Sequence, residues 1–139
     1  MTVHYRVLDH TADLSIEVPG TDPKNLFENA CMALMSILIG GTTSETPTSA
    51  TISVKGQDLT DLLVRWLGEI LYLFNGEERV VTSASIREMT SERLEATVEA
   101  VPFDPSSHVV RTDVKAVTYH QAQVVEKHGR WVARVIFDV

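Results

Sequence analysis

The sequence is poor in cysteine and has fewer basic than acidic side chains. Cys31 is its one cysteine, which excludes an internal disulfide and is typical of a reducing compartment such as the cytoplasm. Lys and Arg number 12 against 19 Asp and Glu, and the formal net charge is −7. Because gripping a phosphate backbone requires clustered positive charge, we expect no direct nucleic-acid binding.

Long apolar runs are also missing. The longest mostly apolar stretch, 31–39, is far shorter than the roughly 20 residues that a membrane span requires, and the N-terminus lacks a basic region followed by an apolar one. We therefore expect no membrane association and a cytoplasmic location. Hydrophobic residues make up 44% of the 139 residues, enough for one core, and the length predicts one domain over 1–139.

Two segments have the apolar spacing of helices. In the first, Thr21 or Asp22 can cap the start, apolar residues recur from Leu26 to Leu38, and the glycines at 40–41 are expected to end the helix. The second, 58–74, has the most regular periodicity in the chain. Both patterns predict helices with one buried face.

The remaining periodic segments alternate apolar and polar residues, as strands do. They are 3–8, 14–18, 51–55, 80–87, 94–101, 115–125 and 131–138, the last two joined around His128 and Gly129. The predicted fold is an α+β single domain with a mostly antiparallel β-sheet of about six strands packed against two α-helices.

Common catalytic and nucleotide-binding motifs are absent, including the P-loop, the glycine-rich dinucleotide loop and paired cysteines for zinc. This weakens an enzyme interpretation. Polar residues at strand margins remain, and the first group, His10 to Asp13, offers oxygen and nitrogen ligands just before a strand. A turn whose Asp and Thr bond to the backbone explains the same residues.

The second group is the end of the sequence, where Asp138 precedes Val139. If Asp13 and Asp138 meet on adjacent strands, they and a main-chain oxygen of Val139 form a hard-oxygen site suited to Mg²⁺, Mn²⁺ or Ca²⁺. Periodicity does not show that they meet. A solvated chain end is the alternative.

The third group is the block 115–120. Lys115 could bind a phosphate or carboxylate, or lie exposed at a strand end. His120 could be a ligand, a base or a hydrogen-bonded structural histidine. Arg65, on the polar side of the second helix, could reach a partner's carboxylate or be solvated.

Taken in order, these segments resemble the archease family along nearly the whole chain. The resemblance rests on His-Thr-Ala-Asp at 10–13, Lys-Ala-Val-Thr-Tyr-His at 115–120 and Phe-Asp-Val at 137–139. The apolar patterns of 26–30 and 58–72 match the family's two helices but are less specific.

The resemblance implies an accessory protein of the RtcB-type tRNA-splicing RNA ligase, which joins phosphate-terminated to hydroxyl-terminated RNA ends with GTP and Mn²⁺. Such a protein promotes guanylylation of the ligase and multiple turnover, and it carries a divalent metal ion. Carried over to matching positions, the metal ligands are Asp13, Asp138 and Val139. Lys115, and with it His10 and His120, are expected to take part in ligase activation.

Two other classes stay open. A metal-binding chaperone, or a general protein-binding module for RNA-processing proteins, would expose a contiguous apolar patch and protect unrelated clients. A metal-dependent hydrolase would need a general base near the cation, for which only His10 or His120 is available.

Overall fold

The structure, a computed structural model, describes residues 4–8 and 13–139. Over these residues there are two helices, α1 (Pro23–Leu38) and α2 (Leu59–Asn75). The strands are β1 (Arg6–Val7), β2 (Asp13–Gly20), β3 (Ile39–Gly40), β4 (Thr48–Lys55), β5 (Arg79–Met89), β6 (Arg93–Pro102), β7 (Val109–Val110), β8 (Ala116–Lys127) and β9 (Arg130–Asp138). The predicted α+β class is confirmed. The six longer strands match the expected number, and the three additional strands have two residues each.

Helix α1 begins as its sequence predicts. The Asp22 carboxylate accepts a hydrogen bond from the Asn25 N–H at 2.8 Å, and Pro23 occupies the first helical position. The helix ends at Leu38, before the glycines that were expected to end it, because Ile39 is already extended. Gly41 follows with φ +87°, and a Cβ there would collide with the Ser107 carbonyl.

Helix α2 is fixed by a similar cap and by a buried indole. The Asp58 carboxylate accepts from the Asp61 N–H at 2.8 Å. Trp66 is fully buried, and its Nε1–H donates to the Phe27 carbonyl of α1 at 2.9 Å. This bond joins the two helices inside the core.

The strands form three antiparallel sheets in place of the single sheet that we expected. The largest has the order β1-β2-β9-β8, the second β4-β6-β5, and β3 pairs with β7. Helix α1 packs against β2 and β5, while α2 packs against β8, β5 and β4, so both helices lie between the two larger sheets and complete one core. No helix in the described part of the chain is long and apolar enough to cross a membrane.

The four-stranded sheet has two chemically different faces. Its inner face carries apolar pairs, Ile16 opposite Val135 and Leu14 opposite Phe137. Its outer face carries Ser15 opposite Ile136, with charged pairs on either side. The hairpin between β8 and β9 turns at His128 (φ 55°) and Gly129 (φ 77°), the pair of positive φ angles that a type I′ turn requires.

Candidate functional site

Two carboxylates meet at one end of the outer face. Asp13 begins β2, Asp138 ends β9, and the two residues lie directly opposite each other in the antiparallel pair. Residues opposed in this way have their Cβ atoms about 4.5–5.5 Å apart on the same face. The structure therefore brings together the two aspartates that the sequence could not show to meet.

This carboxylate pair has an unfavourable charge balance. Both residues are exposed, and no ion pair within residues 4–8 and 13–139 involves either of them. Like charges directly opposite across a strand pair destabilise a sheet. A divalent cation between the carboxylates would remove that repulsion.

The donor set fits a hard cation. In the described part of the chain, no group of three or more His, Cys, Asp or Glu side chains could hold a metal ion. Asp13 and Asp138 therefore supply two side-chain ligands and no third. A main-chain oxygen of the adjoining, exposed Val139 could be added to them. Mg²⁺ commonly binds through one or two carboxylates and keeps several positions for water or substrate phosphates.

The main chain of Lys115 is hydrogen-bonded to Asp138, one member of this pair. Its N–H donates to the Asp138 carbonyl at 2.7 Å, immediately before Ala116 pairs with Asp138 in β8. The Lys115 side chain is exposed, and among the described residues its ammonium group makes no ion pair. Its charge is thus available at the end of the sheet that holds the two aspartates.

His120 belongs to a bulge in β8, which was not predicted from the sequence. Thr118 pairs with Ile136 and Gln123 with Arg134, so β8 contains three more residues than β9 over this interval. Within the bulge Gln121 has φ 55°, which is uncommon for a residue other than glycine. Bulges of this kind redirect side chains next to functional sites.

The bulge forms one wall of a cleft on the outer face. This cleft has a volume of about 400 Å³ and reaches from Asp13 along the sheet; its lining is Leu8, Asp13, Ser15, His120, Gln121, Arg134 and Ile136. His120 is thereby placed in the same cleft as Asp13. His10, which we also predicted to be functional, lies outside the described residues.

Both ends of the bulge are bound to the first turns of α2. The Tyr119 hydroxyl donates to the Asp61 carboxylate at 2.7 Å, and at the other end the Val124 N–H donates to the Thr60 hydroxyl at 3.2 Å. Asp61 also accepts from Arg65 Nε at 3.0 Å. Arg65 thus has a carboxylate partner within its own helix.

These contacts perturb the ionisation of the groups involved. The hydrogen bond from Tyr119 is the main reason that the pKa of Asp61 is lowered, with the Gln57 N–H contributing next. The same bond raises the pKa of Tyr119. Sequence reasoning missed Tyr119 as an anchor, although its place beside His120 in one block was the available signal.

Two other polar residues of the sequence have local structural roles. His108 is buried, stacks on Phe103 with ring centroids 5.6 Å apart, and accepts a hydrogen bond at Nδ1 from the Asp104 N–H at 2.9 Å. The Asp104 carboxylate accepts from the Ser106 hydroxyl at 2.7 Å. These bonds close the loop after β6.

Comparisons with known proteins converge on one family. Residues 5–139 match the Archease protein family. The chain is 34% identical to protein archease of Methanosarcina mazei, covering 97% of this chain and 95% of that protein. It is similar to the solution structure of protein 1598 from Methanobacterium thermoautotrophicum, with a TM-score of 0.75, 26% identity and coverage of 97% and 98% of the two chains.

A second solved structure supports the fold alone. It is the crystal structure of an archease from Thermotoga maritima, described as a possible chaperone, with a TM-score of 0.64, 19% identity and coverage of 96% of each chain. Both structures agree with an α+β domain of two helices and mostly antiparallel sheets.

Proposed function

The chain belongs to the archease family, and from that membership we propose that it is a non-enzymatic accessory factor of an RtcB-type tRNA-splicing RNA ligase. In this proposal it acts in the cytoplasm, promotes GTP-dependent guanylylation of the ligase and allows many ligations per ligase molecule. The observation that best supports it is the pair Asp13 and Asp138, held in register beside the Lys115 main chain.

The pair and the main chain of Val139 would hold the cation. A bound Mg²⁺, Mn²⁺ or Ca²⁺ would supply positive charge for phosphate oxygens. The strands fix the geometry of this site. The pairing of β2 with β9 sets the distance between the carboxylates, and the Lys115 N–H binds the carbonyl of Asp138 at the start of β8. Lys115 adds a mobile point charge that can reach a phosphate of the partner's nucleotide.

Charge also favours such a partner. The net charge of −7 complements the basic, phosphate-binding cleft that an RNA-joining enzyme needs. Complementary charge accelerates the encounter of two proteins and fixes their orientation. The proposal therefore does not require this chain to bind RNA by itself.

The test is multiple-turnover ligation by a purified RtcB-type ligase with GTP and Mn²⁺ and a substoichiometric amount of this protein. We expect many products per ligase with the wild-type protein. Asp13→Asn and Asp138→Asn are expected to lose the stimulation, while Glu92→Gln, an exposed carboxylate in the turn between β5 and β6, keeps it. Full stimulation by both aspartate variants would remove the metal site from the mechanism.

A second candidate is a chaperone or general protein-binding module for RNA-processing proteins. The exposed neighbours Val109 (64% exposed) and Val110 (49% exposed) on β7 favour it, because they place apolar area at the surface. A chaperone would suppress heat aggregation of unrelated proteins at equimolar ratio. Suppression without any stimulation of the ligase would establish this second candidate instead.

A further inference from the structure

The cleft beside the carboxylate pair has the chemistry of an anion site. Five of its seven lining residues are polar, and three of these carry hydrogen-bond donors on nitrogen: His120, Gln121 and Arg134. The two apolar residues, Leu8 and Ile136, lie between the donors and the carboxylate end. The cleft is thus acidic at one end and rich in donors at the other.

The positive charge at the donor end is not neutralised locally. Glu17 is paired with Arg6 at 3.3 Å and with Arg134 at the longer distance of 3.7 Å. One carboxylate therefore serves two guanidinium groups, which leaves a net positive charge. Within the described residues Arg134 makes no other ion pair and its guanidinium donates no hydrogen bond, so its donors are available to a ligand.

The bulge in β8 is what brings the other two donors to this end. Tyr119 anchors the bulge to α2 on the inner side of the sheet, while His120 and Gln121 line the cleft on the outer side. Gln121 adopts φ 55° in this position. Unfavourable backbone conformations that neighbouring contacts hold in place concentrate at ligand sites.

The spacing of the two ends selects the ligand. Asp138 and Arg134 lie four residues apart on the same face of β9, which corresponds to about 13 Å between their Cα atoms. We expect linked phosphates to span this interval better than a single phosphate, because the Arg134 guanidinium is held 3.7 Å from Glu17, the residue directly opposite it on β2. The acidic end would repel them unless a cation is bound there, and a cation held by two carboxylates keeps coordination positions for phosphate oxygens.

We propose that this cleft binds a polyphosphate chain of the kind that nucleotides carry, with a divalent cation at Asp13 and Asp138 holding one end and Arg134, His120 and Gln121 holding the other. This inference rests on the metal site of the proposed function. It assigns Arg134 and the bulge a ligand-binding role that the cation site alone does not require.

Isothermal titration calorimetry tests it with inorganic tripolyphosphate plus equimolar Mg²⁺ as the probe. Arg134→Gln is expected to weaken binding by about tenfold to a hundredfold, the loss of one charge-assisted contact to an anion. Arg134→Lys, which keeps the charge without the planar fork, should lose less. Arg130→Gln removes an exposed arginine from the same strand and face outside the cleft, and it should bind as the wild-type protein does.

Two further measurements separate this inference from the proposed function. Electron paramagnetic resonance of added Mn²⁺ reports the cation site alone, and Arg134→Gln should bind Mn²⁺ normally while Asp138→Asn should not. Equal tripolyphosphate affinity of Arg134→Gln and wild type, with Mn²⁺ binding intact, would overturn the inference and leave the metal site standing. Orthophosphate that binds as tightly as tripolyphosphate would overturn the requirement for linked phosphates. Absence of Mn²⁺ binding to the wild-type protein would overturn both.

Discussion

Replacing Asp138 by Asn should change the stability of the protein in opposite directions with and without a divalent cation. In EDTA the substitution removes one of two opposed charges. If the carboxylates are as close as opposed Cβ atoms, about 5 Å, two unit charges in a medium close to water repel by about 0.8 kcal/mol, and physiological salt reduces this. The Asn variant should therefore be more stable than the wild type by about 0.4–0.8 kcal/mol. The bond from the Lys115 N–H is unaffected, because it goes to the main-chain carbonyl of residue 138.

With Mn²⁺ at a hundred times its dissociation constant, the order should reverse. A ligand that binds only the folded state stabilises it by about 2.7 kcal/mol at that concentration. The wild type should gain this amount and the Asn variant little of it. For a chain of this length, about 1 kcal/mol corresponds to about 3–4 °C in the melting temperature.

Urea unfolding followed by circular dichroism measures both effects. The gain in EDTA should shrink in 1 M NaCl, and Glu92→Gln should match the wild type with and without Mn²⁺. A loss of stability of Asp138→Asn in EDTA, by 1 kcal/mol or more, would show that the carboxylate makes a favourable contact instead of facing an uncompensated charge. That result would refute the electrostatic argument for the cation site.

Four further predictions concern the rest of the molecule. Trp66→Phe should lower the free energy of unfolding by about 2–4 kcal/mol, because it removes the hydrogen bond from the indole to the Phe27 carbonyl and opens a void in the core. Trp131→Phe, at a half-buried position, should cost less. Cys31 should not react with a thiol reagent until the protein unfolds, since burial, and then the charge of Glu28, raise the pKa of its thiol. Tyr119 should titrate above the usual value near 10 in ultraviolet difference spectra against Tyr119→Phe. Because the pKa of Tyr119 is raised, the stability that its hydrogen bond contributes should be present below about pH 10 and lost as pH rises through the folded-state pKa. Because the pKa of Asp61 is lowered, the stability that the Asp61 carboxylate contributes should be lost as pH falls below the usual value near 4.

Local patterns in the sequence predicted the elements of the fold well. The cap expected at Thr21 or Asp22 and the apolar spacing of the two segments were sufficient to locate α1 and α2. The division into separate sheets was not predictable in this way, because a strand's alternation shows that it has a buried face and does not show which neighbour it pairs with.

The candidate site shows the same limit. The residues Asp13, Asp138 and Lys115 were identified from the sequence, but their proximity depends on the order β2-β9-β8 and on its register. The cleft was missed because the bulge around Gln121 has no glycine or other local marker. Arg134 was not identified from the sequence, because its position in a strand does not show which residues lie beside it.

The position of β9 between β2 and β8 also affects how the protein folds. Asp13 and Asp138 are more than 100 residues apart in the sequence, and contacts over such separations form slowly because a large loop must close first. During synthesis, β2 has no partner on that side until nearly the whole domain has left the ribosome. The two carboxylates thus come together only in a chain that has completed its fold, so cation binding would distinguish finished molecules from partly folded ones.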